Sequence, residues 1–262
     1  MRRIRIFAAM LLLTFAALGR AQTEKMVEIP TRPGVTQRMS VIATPDAKAA
    51  VVLFSGGDGG LQIGDDGQPT RQKGNFLVRS RQLFAAQGFF VVVLDAPSDR
   101  QSPPFLQGFR QSAQHVADVK AVIAWVRSMS KVPVWLVGTS RGTQSVGFIA
   151  TELAGAEGAD GIVLSSTILV DDKGRPVPEM PLERIHIPVL IQHHEQDGCA
   201  LCPYSQVSGL MRKLQSAPRS ELQIFGGGRN RGDPCEAMAY HGFNGLEDLV
   251  VRRAAEWITA AR

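Results

Sequence analysis

The chain has 262 residues, of which 44% are hydrophobic and 20% charged, and its formal net charge is +5. That length suits one large α/β core, and the apolar content excludes a disordered or low-complexity chain. Beyond the N-terminus, no apolar run is long enough to cross a bilayer.

Met1-Arg2-Arg3-Ile4-Arg5 is a basic start, and Ile6 to Leu18 is almost unbroken apolar sequence. Gly19-Arg20-Ala21 places small residues ahead of a cut before Gln22. This is the pattern of a secretory signal peptide over residues 1–21, with an uncleaved anchor as the alternative. The expectation is export, to a periplasm or the exterior, with residues 22–262 as a single domain and no membrane span after cleavage. The leader holds Arg2, Arg3, Arg5 and Arg20 and no acid, so its removal leaves 241 residues and lowers the charge from +5 to +1. The basic character therefore belongs mostly to the leader and gives no reason to expect a nucleic-acid partner.

The rest alternates strand and helix patterns. Val27 to Ile29 and Met39 to Ala43 read as early strands around a turn at Arg32-Pro33-Gly34. Ala50 to Phe54 is a continuous apolar run suited to a strand buried on both faces, followed by a Gly-rich loop from Ser55 to Gly74. Phe76 to Ala86 has helical spacing, Phe89 to Leu94 is a second buried strand, and Ser98 to Phe109 is a loop. Val116 to Met129 is helical, Pro133 to Val137 is a strand, and a helix follows from Thr143 to Glu152. Further strands fall at Gly161–Leu164, Val189–His193 and Glu221–Phe225, with helices at Ser205–Leu214 and Leu246–Ala261. The alternation implies a mostly parallel, twisted sheet with helices on both faces. Thr167 to Ile187 is the one candidate lid, short enough to make only a minimal cap.

The most informative run is Val134-Trp135-Leu136-Val137-Gly138-Thr139-Ser140-Arg141-Gly142. A strand pattern ends in Gly-x-Ser-x-Gly and a helix follows at once, the context in which this motif presents a nucleophilic serine. A Cβ at Gly138 or Gly142 would collide with neighbouring strand and helix at so tight a corner. Serine needs a base to take its proton, and the base needs an acid to orient it. Asp197 follows a strand in His194-Glu195-Gln196-Asp197-Gly198, and His241 lies past the last strand, just before the final helix. Ser140, Asp197 and His241 thus occur in nucleophile–acid–base order, each beyond a strand end. Glu195, Asp171 and Asp172 are the competing acids. Among histidines, His115 comes too early, His186 sits at the wrong end of a strand, and His193 and His194 precede the acid. A His193/His194/Asp197 metal cluster is disfavoured because adjacent strand residues point to opposite faces.

On these residues the chain resembles the α/β-hydrolases, over nearly all of its mature length. It is similar to the single-domain esterase-like and dienelactone-hydrolase-like members, but has serine where dienelactone hydrolases carry cysteine. The resemblance implies an exported serine hydrolase that cleaves a carboxylic ester or related acyl bond of a small molecule and uses no cofactor or metal. A peptidase, thioesterase or acyltransferase on the same three residues remains open, as does a non-catalytic binding protein of that fold. An oxyanion hole would use the amide of Arg141 and one from Ser55-Gly56-Gly57-Asp58-Gly59-Gly60, with Gly57 first and Asp58 next. No Gly-Lys-Ser/Thr ending follows these glycines, which argues against a phosphate loop. The Arg141 side chain is placed either to meet a substrate carboxylate or to pair with a neighbouring acid such as Asp58. Cys199 follows Asp197 by two residues and Cys235 precedes His241 by six, so joining acid and base makes a Cys199–Cys235 disulfide plausible. Cys199 and Cys202 form a competing C-x-x-C pair.

Overall fold

Several six-residue strands are buried along their whole length, and the sheet is built around them. They are β3 (Ala49–Phe54), β4 (Phe89–Leu94), β5 (Val134–Thr139) and β7 (Val189–His194). The computed structural model describes residues 23–171 and 173–260; the expected leader over 1–21 lies outside them. A hairpin of β1 (Glu24–Arg32) and β2 (Val35–Ile42) precedes these strands, and β6 (Gly161–Ser165) and β8 (Ser220–Phe225) complete the sheet. The order is β1-β2-β4-β3-β5-β6-β7-β8, with β1/β2 and β2/β4 antiparallel and the remaining neighbours parallel.

Side chains alternate across the sheet, as strand geometry requires. Val52, Leu136, Leu164 and Ile191 face one layer, together with α2 (Ala113–Met129), α3 (Gly142–Glu152) and α4 (Val207–Met211). Val51, Trp135, Val163 and Leu190 face the other, with α1 (Phe76–Ala86) and α5 (Glu247–Thr259).

Two elements differ from the sequence reading. β1 runs well beyond Val27–Ile29 and carries Pro30, which an edge strand tolerates, with a register shift between Pro30 and Arg32. The helix expected over 205–214 shrinks to α4 plus a preceding single turn, Tyr204–Gln206. The segment 167–187 forms only two single turns, Val177–Glu179 and Leu182–Arg184, so the cap is minimal.

The functional end of the sheet follows from strand order. The chain runs from β3 to β4 on one side but places β5 on the other, so the loops after β3 and β5 diverge at a topological switch point. Phe54 is paired in register with Gly138, bringing the glycine loop beside the turn that holds Ser140. That corner needs its glycines. A Cβ on Gly138 would lie 2.7 Å from the Gly142 oxygen. One on Gly142 would run into the Phe54 carbonyl and come 2.9 Å from the Ser55 oxygen.

A buried polar group lies behind the glycine loop. His115 packs edge-on against Phe54 and Phe109, and its Nε2 meets the Ser145 hydroxyl at 3.0 Å. Burial pushes its imidazole down to about 3, with Arg110 and then Arg32 adding to the effect.

Two predictions arise here. Gly142→Ala should lower the unfolding free energy by about 3 kcal/mol or more, since backbone cannot yield as a side chain can. Gly209→Ala, where the nearest atom is the end of the Arg212 side chain at 3.7 Å, should be neutral or stabilising. Urea denaturation of both variants checks this, and equal effects would refute the steric argument. For His115, the unfolded chain takes up a proton near 6.5 while the folded chain does so only near 3. Its contribution is therefore complete above pH 6.5 and is lost as pH falls toward 3. Between pH 7 and 5 the protein should lose about 2 kcal/mol through this group. His115→Gln should lose correspondingly less over the same interval, and an identical loss in both proteins would count against the assignment.

Candidate active site

Ser140 sits between β5 and α3 with φ of +52°, in the left-handed region that costs a non-glycine residue about 1–3 kcal/mol. Its amide donates to the Ser165 oxygen at the end of β6 (3.0 Å). Its carbonyl accepts from the Thr143 amide (2.9 Å) and the Thr143 hydroxyl (2.6 Å). These bonds hold the turn in its strained form.

Asp197 and His241 come together from the ends of β7 and β8. His241 Nδ1 lies 2.9 Å from Asp197 Oδ2, and the Asp197 side chain is fully buried. The other carboxylate oxygen accepts the Cys199 amide at 2.9 Å. His193 Nε2 is 3.6 Å from Asp197 Oδ2 but bonds the Cys202 carbonyl at 3.0 Å. Burial pushes the His193 imidazole down, against the pull of Asp197. His241 Nε2 is buried and has no hydrogen-bond partner among the described residues. His241 and Ser140 both line one cleft, a space of about 390 Å³ whose walls also include Gly56, Gly57, Asp58, Asn75, Cys235 and Ala237. Ser140 and His241 share this cleft without a hydrogen bond between them, as is common in free enzymes.

The His241 segment is fastened from several sides. Cys199 and Cys235 form a disulfide across 36 residues, joining the Asp197 turn to the loop before His241. The Ser166 hydroxyl donates to the His241 carbonyl at 2.7 Å, and Arg79 donates to the Gly242 carbonyl at 2.6 Å. Cys202 stays a buried thiol whose pKa is raised by burial. Its sulfur lies within 4.8 Å of Cys199 Sγ and a His241 ring nitrogen, but Cys199 is spent in the disulfide, so these three do not make a metal-ligand set. His193 and His194 diverge, toward Tyr204 and Tyr240 respectively.

Behind the glycine loop lies Arg110, which no sequence motif marks. Its guanidinium is buried, with Nη2 at 3.1 Å from the Ser55 oxygen, 3.4 Å from that of Gly56 and 3.1 Å from that of Gly57. The Asp58 carbonyl turns the same way and accepts the Leu106 amide (2.9 Å). In a planar trans peptide the N–H opposes the C=O of the preceding residue. Carbonyls of Gly56 and Gly57 drawn inward therefore aim the amides of Gly57 and Asp58 outward, and neither has a hydrogen-bond partner among the described residues. The Arg141 amide at the start of α3 is also unbonded. Burial, then repulsion from Arg141, pulls the Arg110 guanidinium down to about 9, with Asp58 opposing.

The charged side chains find partners nearby. Arg141 pairs with the buried Asp171 carboxylate at 2.8 Å, not with Asp58, and thereby takes a competing acid away from His241. Asp58 pairs with Arg71 at 3.0 Å and accepts from Gln72.

No protein-family model matches the chain, and no curated protein does. Solved structures do. An α/β serine hydrolase homologue from Coxiella burnetii is 17% identical with a TM-score of 0.60, covering 90% of this chain and 99% of that one. A dienelactone hydrolase from Anabaena variabilis is 15% identical with a TM-score of 0.62, over 91% of this chain and 98% of that one. An esterase from Pyrococcus furiosus is 14% identical with a TM-score of 0.65, over 91% and 92%. In strand order and in these likenesses, the chain has the α/β-hydrolase fold.

Proposed function

We propose that the protein is an exported serine hydrolase that cleaves a carboxylic ester of a small molecule. The observation that carries this is a serine in strained, left-handed backbone sharing one cleft with a histidine that is bonded to a buried aspartate and whose second ring nitrogen has no partner among the described residues. Solved neighbours named as hydrolases and esterases support the same reading.

In this reading Ser140 Oγ attacks the ester carbonyl as His241 Nε2 takes its proton. Asp197 holds the Nδ1 proton, fixes the tautomer and stabilises the imidazolium. The amides of Gly57, Asp58 and Arg141 receive the negative oxygen of the tetrahedral intermediate. As it collapses, the C–O bond to the alcohol breaks and His241 returns the proton to the leaving oxygen. Water, activated by the same histidine, then attacks the acyl-Ser140 ester and releases the acid. Export rests on the basic and apolar pattern of residues 1–21, and a disulfide beside the site suits an oxidising compartment.

Covalent labelling by a fluorophosphonate, followed by mapping of the modified peptide, tests the proposal. Ser140 should be modified, and Ser140→Ala should neither label nor turn over p-nitrophenyl acetate. A folded protein that fails to label would overturn the reading. Asp197→Asn should lower kcat by about 10³–10⁴-fold, and an unchanged kcat would show that another acid serves. Cys235→Ser should lower the unfolding free energy by about 2–4 kcal/mol in urea titrations and reduce turnover as the base segment loosens. Unchanged stability would mean the bridge does not constrain the chain.

A further inference from the structure

Asn75 stands at the mouth of the same cleft and has one hydrogen-bonding group left over. It caps α1, its Oδ1 accepting the Leu77 amide at 3.1 Å. An amide N–H must meet oxygen, so this bond fixes which end of the carboxamide is which and turns Nδ2 away from the helix. Nδ2 makes no hydrogen bond to any described residue. Its position is given by Gly56: a Cβ built there would lie 2.9 Å from Ser140 Cβ and 3.4 Å from Asn75 Nδ2. The Ser140 side chain and the Asn75 carboxamide nitrogen thus flank the same glycine, in the cleft that Gly57 also lines. The residue is also held in place, since its own amide donates to the Gln72 oxygen (2.8 Å) and its carbonyl accepts from Arg79 (2.9 Å).

We propose that Asn75 Nδ2 is a further donor to the oxyanion, acting beside the amides of Gly57, Asp58 and Arg141. The inference rests on the serine-hydrolase reading above. A donor fixed before reaction and aimed where charge develops strengthens its bond as the carbonyl becomes an alkoxide, so it favours the transition state over the ground state. The cap is what makes the group rigid. A carboxamide free at both ends would swing, whereas this one has its oxygen tied to the first turn of α1.

Asn75→Asp and Asn75→Ser separate the two roles, because aspartate and serine cap helices about as well as asparagine but neither offers the amide donor. Both variants should keep the wild-type Tm and KM for p-nitrophenyl acetate, with kcat lowered about 10²–10³-fold. Inhibition by a trifluoromethyl ketone, whose adduct with Ser140 carries the oxyanion, should weaken in parallel with kcat. A purely structural Asn75 would leave kcat and inhibitor affinity within about threefold in both variants, and that result overturns the inference. Ser140→Ala distinguishes the two levels. If it retains turnover, the serine-hydrolase reading fails; if it is inactive while both Asn75 variants remain fully active, only the role of Asn75 fails.

Discussion

The close approach of three backbones at the corner between β5 and α3 is the constraint on which the site depends. The first turn of α3 lies against the carbonyls that end β3, and only glycine at position 142 leaves room for it. Gly138 does the same for the approach of α3 to its own strand. This contact forces Ser140 into positive φ, and the bonds to Ser165 and Thr143 keep it there. The strain is local and is borne by a sheet whose central strands are buried on both faces. A loosely packed corner would let the turn relax and withdraw the hydroxyl from the cleft.

Around this corner the two walls are stabilised by different chemistry. The glycine loop has few side chains with which to pack, so its conformation is set largely through its carbonyls, with Asp58 tied to Arg71. One buried guanidinium gathers three of them. Burying that charge is costly, and the gain is a loop whose amides face the cleft without any reorganisation on substrate binding. The acid and base wall is held covalently by Cys199–Cys235 and by bonds to the His241 and Gly242 carbonyls. Neither wall relies on the minimal cap.

How much of this is legible in the sequence depends on the range of each interaction. The strand pattern and the turn chemistry around Ser140 are local, so fold class and the Gly-x-Ser-x-Gly corner read directly. Asp197 and His241 are distant in sequence, yet chain order and strand ends single them out; joining those loops makes a Cys199–Cys235 bridge plausible, but spacing alone leaves Cys202 as a rival partner, and the fold decides for Cys199. Arg110 is different. It lies between a loop and α2 with no motif around it, and only the folded chain shows that it meets carbonyls from more than fifty residues earlier. Asn75 carries no motif in sequence; its place beside Gly56 and Ser140 is set by tertiary neighbours.

The paired histidines at the end of β7 show why residue type alone misleads. His193 and His194 stand next to a buried aspartate, and such a cluster invites a metal. Strand geometry sends them to opposite faces, and each instead tethers one of the two loops that meet at the site. His193 Nε2 bonds the Cys202 carbonyl, holding the segment that carries the disulfide's first cysteine. His194 Nε2 bonds the Gly227 carbonyl at 2.9 Å, at the start of the chain leading to His241, while its Nδ1 accepts the Gln196 amide at 3.0 Å. A neutral imidazole donates through one nitrogen and accepts through the other, so burial that disfavours the His193 cation is compatible with this task. Polar residues at the end of an apolar strand are therefore placed where the chain must be anchored just before it turns into Asp197.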